Sequence, residues 1–222
     1  PMPGGLQGAA AEMFAAVAPE LPFGQRLALS NLWLLRPLVE RQLGQGGGAT
    51  NAILRTTTAL TVINAGNKEN VLPGRAEAVV NFRILPGDTV AGVMAHVKQA
   101  VDAPRIDVQP LGTAAEPSKL SSSNSAPYQQ IERTVREVFP DTIVAPGLML
   151  QASDARHFDP ITDHSYRFMP MRFRPADLAR LHGSDERVAV DQLPDMVRFY
   201  HRLLSVSAGP IAQPANPQGT TP

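Results

Sequence analysis

The sequence predicts an α+β fold in which an antiparallel sheet carries helices on one face. The run 54–63 is rich in β-branched residues, and the run 75–85 alternates apolar with polar side chains. Helical spacing follows at 88–104, and a third strand-like run covers 106–111. Two strands, a helix and another strand within about sixty residues are typical of a helix packed over a small sheet with one face buried.

Two helical stretches precede this sheet. The first extends from Ala9 to Val17 and ends at Pro19, which cannot continue a helix. The second, Phe23–Leu43, is more apolar and should kink at Pro37. It is either a buried helix or a helix that binds a partner. The glycine-rich run 44–48 is typical of a flexible connector.

Asp88 is a suitable N-cap for the helix that follows the strands, which should close near Pro104. Its apolar residues recur at helical spacing: Val90, Val93, Met94, Val97 and Val101.

The second half begins with a polar, serine-rich segment, 112–126, which favours a domain boundary. Ser125 should cap a helix with Pro127 in its first turn, stabilised by Glu132/Arg136 and Arg133/Glu137 pairs. An apolar strand is predicted from Asp141, and a last helix over Asp191–Leu204. The apolar side chains expected to face inward on this last helix are Met196, Val197, Tyr200, Leu203 and Leu204.

Composition excludes several classes of function. Twenty Lys+Arg balance twenty Asp+Glu, so the chain lacks the positive surplus of a nucleic-acid-binding protein. No stretch approaches the ~20 apolar residues of a membrane span. Without cysteine, a metal site would have to use His, Asp and Glu. The absence of cysteine does not distinguish a reducing from an oxidising cellular compartment.

Two loops of the second half carry candidate functional residues. Arg156 follows the predicted strand beside Asp154, and its guanidinium could bind a substrate carboxylate or only pair with Asp154. His182, in LHGSDERV, could ligate a metal with Asp185 or Glu186 orienting it, or be a structural histidine.

The first half adds two candidates. Asn67 and Asn70 lie in a turn where their amides could reach a ligand. Arg83 lies in the following strand, on the face opposite Val80 and Phe82, where it could bind an anion.

Four segments in this order carry a family resemblance: NAGNKENVLPGRAEAVVNFRILPGDT, ASDARHF, YRFMPMRF and LHGSDERVAV. Together they resemble the zinc-dependent exopeptidase and aminoacylase family, in particular its carboxypeptidase S and N-acyl-amino-acid hydrolase branch. The resemblance covers about Ala9 to Leu204.

The resemblance implies an α+β lid, which also forms a homodimer, followed by part of an α/β zinc-hydrolase catalytic domain with two zinc ions. The implied division is a helical segment of the lid (1–48), the α+β lid (49–117), the end of the catalytic domain (118–206) and a disordered tail (207–222). The substrate would be an N-acyl amino acid or peptide.

By the same resemblance, His182 matches a zinc ligand, Asn70 and Arg83 match lid residues that hold the substrate carboxylate, and Arg156 lies in a substrate-side loop. ASDARHF departs from the more usual T-D-S-R form at Ser153 and Ala155.

The family's other zinc ligands and its paired glutamates have no counterpart in the sequence. We therefore expect a C-terminal fragment of a metallohydrolase that is inactive alone, with no catalytic residue of its own. The alternative is a non-catalytic α+β dimerisation module. A third possibility is that a separate chain supplies the missing half.

Overall fold

The computed structural model places the chain in two compact units, which are described separately. The first unit comprises Pro1–Ser121 and Ala145–Ser165, and the second comprises Ser122–Val144 and the chain from Tyr166 onward. The structure describes residues 1–112, 114–178, 180–181 and 183–208.

Four helices open the first unit, α1 to α4. Their bounds are Gly8–Val17, Phe23–Ser30, Leu32–Gln45 and Gly48–Leu54. As predicted, α1 ends before Pro19, which lies in a short 3₁₀ turn.

The stretch predicted as one helix kinked at Pro37 is instead two helices that break at Asn31. Asn31 leaves the helical region with φ −119° and ψ 40°, and its side-chain amide donates to the Leu27 carbonyl at 2.8 Å. This bond satisfies a carbonyl that the end of α2 leaves unpaired. Pro37 lies inside α3.

The predicted connector 44–48 is shorter than expected, because α3 continues to Gln45 and α4 begins at Gly48. Gly47 takes φ +103°, a value that favours glycine and allows the chain to turn sharply between the two helices.

A small core joins these helices to the N-terminal segment. Leu6, Ala10, Val39 and Leu54 are buried together. The Leu6 amide donates to the Glu40 carboxylate at 2.6 Å, which fixes the N-terminal segment against α3.

Two antiparallel strands form a hairpin, β1 over Thr57–Ala65 and β2 over Ala76–Arg83. Thr57 lies opposite Arg83 at one end, and Ala65 lies opposite Ala76 at the loop end. The register shifts between Leu60 and Val62, so one residue of β1 bulges out of the ladder.

The strands predicted at 106–111 and from Asp141 are wrong, because the structure gives both segments irregular backbone. These segments contain Pro110 and Pro146, whose missing amides weaken a strand ladder. Among the described residues, the sheet has two strands.

The prediction that the sheet buries one face is also wrong. Most side chains of both strands are exposed, and the partly buried ones, Thr57, Val79 and Phe82, do not follow a period of two. A two-stranded hairpin lacks the neighbouring strands that would cover a full face.

Helix α5, Val90–Val101, is capped by Thr89, which accepts a hydrogen bond from the Gly92 amide at 3.0 Å. The predicted cap, Asp88, instead accepts a hydrogen bond from the Thr56 hydroxyl. The helix closes before Pro104 as predicted, with Asp102 in the left-handed region at φ 41°.

The second unit contains α6 (Ala126–Val138), the single turn α7 (Pro175–Leu178) and α8 (Leu193–Ser207). Ser125 caps α6 as predicted, accepting from the Tyr128 amide at 3.2 Å. The core of the unit is formed by Val135, Phe139 and Phe199.

The inward face predicted for the last helix is wrong in part. Phe199 is the buried residue, Met196 and Leu203 are partly buried, and exposed positions include Val197 and Leu204. Apolar residues cover more than one face of α8, so spacing alone does not select the inner one.

One of the two ion pairs predicted on α6 is confirmed. Arg136 donates to Glu132 at 3.0 Å. Glu137 pairs with Arg202 of α8 at 2.6 Å, rather than with Arg133. The tail predicted over 207–222 begins too early, because α8 includes Ser207, and from position 209 onward it lies outside the described residues. None of the helices in the described ranges is long and apolar enough to cross a bilayer.

Candidate substrate-binding site

Arg83, the last residue of β2, lines a cavity of about 750 Å³ in the first unit. Other lining residues come from α4, β1 and α5, so the cavity lies where the start of the hairpin meets two helices. Its volume is in the range of roughly 300–1,000 Å³ that is usual for small-molecule sites.

The lining combines an apolar wall with positive charge. The apolar residues include Val80, Phe82, Val97 and Val101, and the cationic ones are Arg55 and Arg83. His96 also lines the cavity, and the lining of the cavity includes no carboxylate. Such a lining suits an organic anion that carries an apolar group.

Arg55 was not found by sequence reasoning. Its Nε is buried without a hydrogen-bond partner among the described residues, while its Nη1 donates to the Met2 carbonyl at 3.4 Å. A lone arginine ahead of a strand has no distinctive spacing, so only the fold reveals that it shares a cavity with Arg83.

A hydrogen-bonded clasp holds the end of the hairpin that bears Arg83. The buried Thr56 hydroxyl donates to the Asp88 carboxylate and accepts from the Leu85 amide, the latter at 2.9 Å. Thr56 directly precedes Thr57, the residue paired with Arg83. The clasp therefore joins the start of β1 to the segment that follows β2.

Asn70 lies far from Arg83 within one hairpin. It is exposed in the loop between β1 and β2, whereas Arg83 is at the opposite end of β2. Eight strand residues at about 3.3 Å each separate the two ends by more than roughly 20 Å. One chain does not bring these two residues together.

Arg156 lies in a short 3₁₀ turn, Asp154–Phe158, which belongs to the first unit. It is exposed, and its Nε donates to Nε2 of His157 at 3.5 Å. Within the described ranges, no ion pair joins Arg156 to Asp154.

The segment that carries Arg156 is fixed to the rest of the first unit by Ser121. The Ser121 hydroxyl accepts from the Ser165 amide at 2.8 Å and donates to the Ser165 carbonyl at 3.2 Å. These bonds explain how a sequence-distant segment joins this unit.

His182 lies outside the described residues. Near it in sequence, Asp185 takes φ 66° and pairs with Arg187 at 3.1 Å. Across the described parts of the chain, no three His, Asp or Glu side chains cluster closely enough to hold a metal ion. These residues alone do not make a zinc site.

Comparison with known proteins identifies the class of the first unit. Residues 11–107 match a family model described as a peptidase dimerisation domain. This match confirms the α+β lid predicted from the sequence. The finer prediction, of a catalytic-domain part after the lid, stays a prediction.

Most of the chain is also similar to curated relatives. It is 38% identical over 192 residues to a probable carboxypeptidase S-like protein of Dictyostelium discoideum, covering 86% of this chain and 37% of the relative. It is 41% and 40% identical to the N-fatty-acyl-amino acid synthase/hydrolases PM20D1 of Bos taurus and Homo sapiens, each over 191 residues, 85% of this chain and 38% of the relative.

These matches confirm the resemblance drawn from the four sequence segments. Residues 11–107 are similar to a peptidase dimerisation domain, and most of the chain is similar to carboxypeptidase S-like proteins and N-fatty-acyl-amino acid synthase/hydrolases. It spans a little over a third of the length of these relatives. No solved structure matches it at a significant level.

Proposed function

We propose that these residues are the dimerisation lid and a following part of a zinc-dependent hydrolase that cleaves the amide bond of N-acyl amino acids or peptides. The observation that carries this proposal is the similarity of most of the chain to proteins named as probable carboxypeptidase S-like and as N-fatty-acyl-amino acid synthase/hydrolase. The cationic, apolar-walled cavity adds independent support, because such substrates combine a carboxylate with apolar groups.

In this proposal Arg83 binds the substrate carboxylate, and Arg55 adds a second positive charge to the same cavity. A guanidinium offers paired donors that match the two oxygens of a carboxylate. The neighbouring apolar side chains of the lining, including Val80 and Phe82, would contact the apolar part of the substrate.

Asn70 contributes to substrate binding at a different place. Because one hairpin separates it from Arg83, a single carboxylate could touch both residues only if two copies each supplied one of them. This geometry is compatible with the homodimer proposed from the dimerisation domain. Arg156 is proposed to contact the substrate from its exposed turn.

His182 is proposed as a zinc ligand, with two zinc ions in the complete enzyme. When bound, zinc would lower the pKa of a water molecule and polarise the amide carbonyl. A catalytic zinc needs about three protein ligands, so His182 acts together with other residues.

The rival function is a non-catalytic dimerisation module. It is favoured by the exposed apolar side chains of the hairpin, including Leu60, Ile63 and Leu72, which suit a protein interface. In this case the cavity and the polar loops would bind no substrate.

A measurement of bound zinc distinguishes the hydrolase from the non-catalytic dimerisation module. In a protein that contains these residues, His182→Ala should lose bound zinc and hydrolysis of N-acyl amino acids. His201→Ala, which alters an exposed histidine of α8, is the matched control and should keep both. Equal zinc content in both variants, with a dimer by light scattering, would favour the module.

A further inference from the structure

Arg55 is hydrogen-bonded to the segment 1–6, which packs along the end of α4. Its Nη1 donates to the Met2 carbonyl at 3.4 Å, and the Gly5 amide donates to the carbonyl of the last residue of α4 at 2.9 Å. Met2 and Leu6 are buried, so both ends of the segment are anchored in the first unit. The backbone of the segment therefore lies in a fixed place beside Arg55.

Gly4 is the point where this segment comes closest to Arg55. A Cβ atom at Gly4 would lie 2.6 Å from the Cβ of Arg55 and 2.8 Å from the carbonyl oxygen of Leu54. The first distance is far below the roughly 3.5–4.0 Å of an ordinary contact between carbon atoms. Neither atom is the free end of a flexible side chain. A methyl group at this position would therefore force the segment away from Arg55.

The Arg55 guanidinium keeps most of its donors for a ligand. A guanidinium carries five N–H donors, and within the described residues one of them, on Nη1, makes a hydrogen bond. The Nε atom is buried, 3.1 Å from the place of a Cβ at Gly4. Asp88, which accepts from the lining residue Thr56, forms no ion pair with Arg55 or Arg83 in the described part of the chain.

We propose that Gly4 is a positioning residue for substrate binding. Because it has no side chain, the segment 1–6 can lie against Arg55 and hold its guanidinium where it lines the cavity beside Arg83. An arginine that is already ordered binds an anion more tightly than one that must be ordered on binding. This inference rests on the proposed function, since it assumes that the cavity binds the substrate carboxylate.

The first experiment observes Arg55 in the chain itself. A buried N–H group exchanges its proton with water only when the structure opens locally. The NMR signal of the Arg55 Nε–H, identified by its absence from Arg55→Lys, should therefore exchange slowly. Gly4→Ala should speed this exchange by roughly 5- to 100-fold, the effect of an over-packed contact on local opening. Gly24→Ala is the matched control, because a Cβ at Gly24 of α2 would meet nothing within 4 Å, and it should leave the exchange unchanged.

The second experiment connects Gly4 to substrate binding in an enzyme that contains this chain. Gly4→Ala should raise KM for an N-acyl amino acid with a free carboxylate by roughly 2- to 10-fold, the affinity lost when a long side chain must be ordered on binding. KM for the methyl ester of the same substrate, and kcat for both substrates, should change little. Gly24→Ala should leave all these constants as they are in the unaltered enzyme.

A double variant shows whether Gly4 acts through Arg55. When Arg55→Ala is already present, Gly4→Ala should raise KM for the free acid no further, because the side chain that it positions is gone. A general loss of stability would instead lower the active fraction of enzyme for the acid and the ester alike, whether or not Arg55 is present.

Three results would overturn the proposal: equally slow Nε–H exchange in Gly4→Ala and the unaltered chain, an equal rise of KM for acid and ester, or an undiminished effect of Gly4→Ala in the Arg55→Ala background. If Arg83→Ala raises KM for the free acid and Gly4→Ala does not, the proposed function stands and this inference alone fails. An absence of hydrolysis, or an unchanged KM in Arg83→Ala, would contradict the proposed function and this inference with it.

Discussion

Replacing Thr56 with valine tests whether the clasp holds the end of the hairpin that bears Arg83. Valine keeps the shape of the buried side chain but removes the hydroxyl. The Asp88 carboxylate then loses a donor and the Leu85 amide loses its acceptor. An unpaired buried polar group costs about 1–3 kcal/mol, so Thr56→Val should lower the free energy of unfolding by about 2–3 kcal/mol.

Thr56→Ser is the matched control. Serine keeps the hydroxyl and loses one buried methyl group, which costs about 1 kcal/mol. Urea unfolding followed by circular dichroism gives both values. If Thr56→Val were no less stable than Thr56→Ser, the hydroxyl would not be the stabilising group and the clasp would be refuted.

Two further predictions concern the second unit. Phe199→Ala should destabilise it by about 3–5 kcal/mol, because Phe199 is fully buried beside Val135 and Phe139; circular dichroism during urea unfolding measures the loss, and an unchanged midpoint would contradict the assigned core. The hydrogen bond from Arg202 lowers the pKa of the Glu137 carboxyl below its ordinary value. This stabilisation is present above about pH 4.3, the usual pKa in an unfolded chain, and is lost as the pH falls through the folded pKa. Acid unfolding of Glu137→Gln should not show this loss of stability. If the unaltered chain and Glu137→Gln had the same pH dependence of unfolding, the pairing of Glu137 with Arg202 would be refuted.

Local signals in the sequence predicted the ends of several helices. Ser125 with Pro127 marks the start of α6, and Pro19 marks the end of α1, because capping and proline geometry act within one helical turn. The break at Asn31 was missed because Pro37 has the stronger intrinsic signal, although the Asn31 side chain ends α2.

Features that depend on distant residues were predicted less well. The run 106–111 has strand-like composition, but a strand also needs a neighbour to pair with. Which face of α8 is buried depends on its packing against α6, and Phe199 was not selected by spacing. Burial is a tertiary property that propensity does not encode.

The candidate site shows the same difference between features that local sequence predicts and features that depend on the fold. Arg83 was singled out because it lies in a strand with a recognisable motif, and the structure places it at a cavity. Arg55 and His96 have no such motif, so their place in that lining came only from the fold. The distance of Asn70 from Arg83 follows from hairpin pairing, which a motif does not show.

The most direct test of the proposed function is a comparison of two substrates in an enzyme that contains this chain. One is an N-acyl amino acid with a free carboxylate, and the other is its methyl ester. Arg83→Ala should raise KM for the free acid by roughly 10- to 100-fold, the effect of losing a charge-assisted hydrogen bond, and change kcat little. Arg133→Ala, on the exterior of α6, is the control and should leave both constants unchanged.

The methyl ester removes the charge that Arg83 is proposed to bind. Arg83→Ala should therefore leave KM for the ester within about twofold of the unaltered enzyme. A wild-type KM for the free acid, or an equal rise for acid and ester, would contradict carboxylate binding by Arg83.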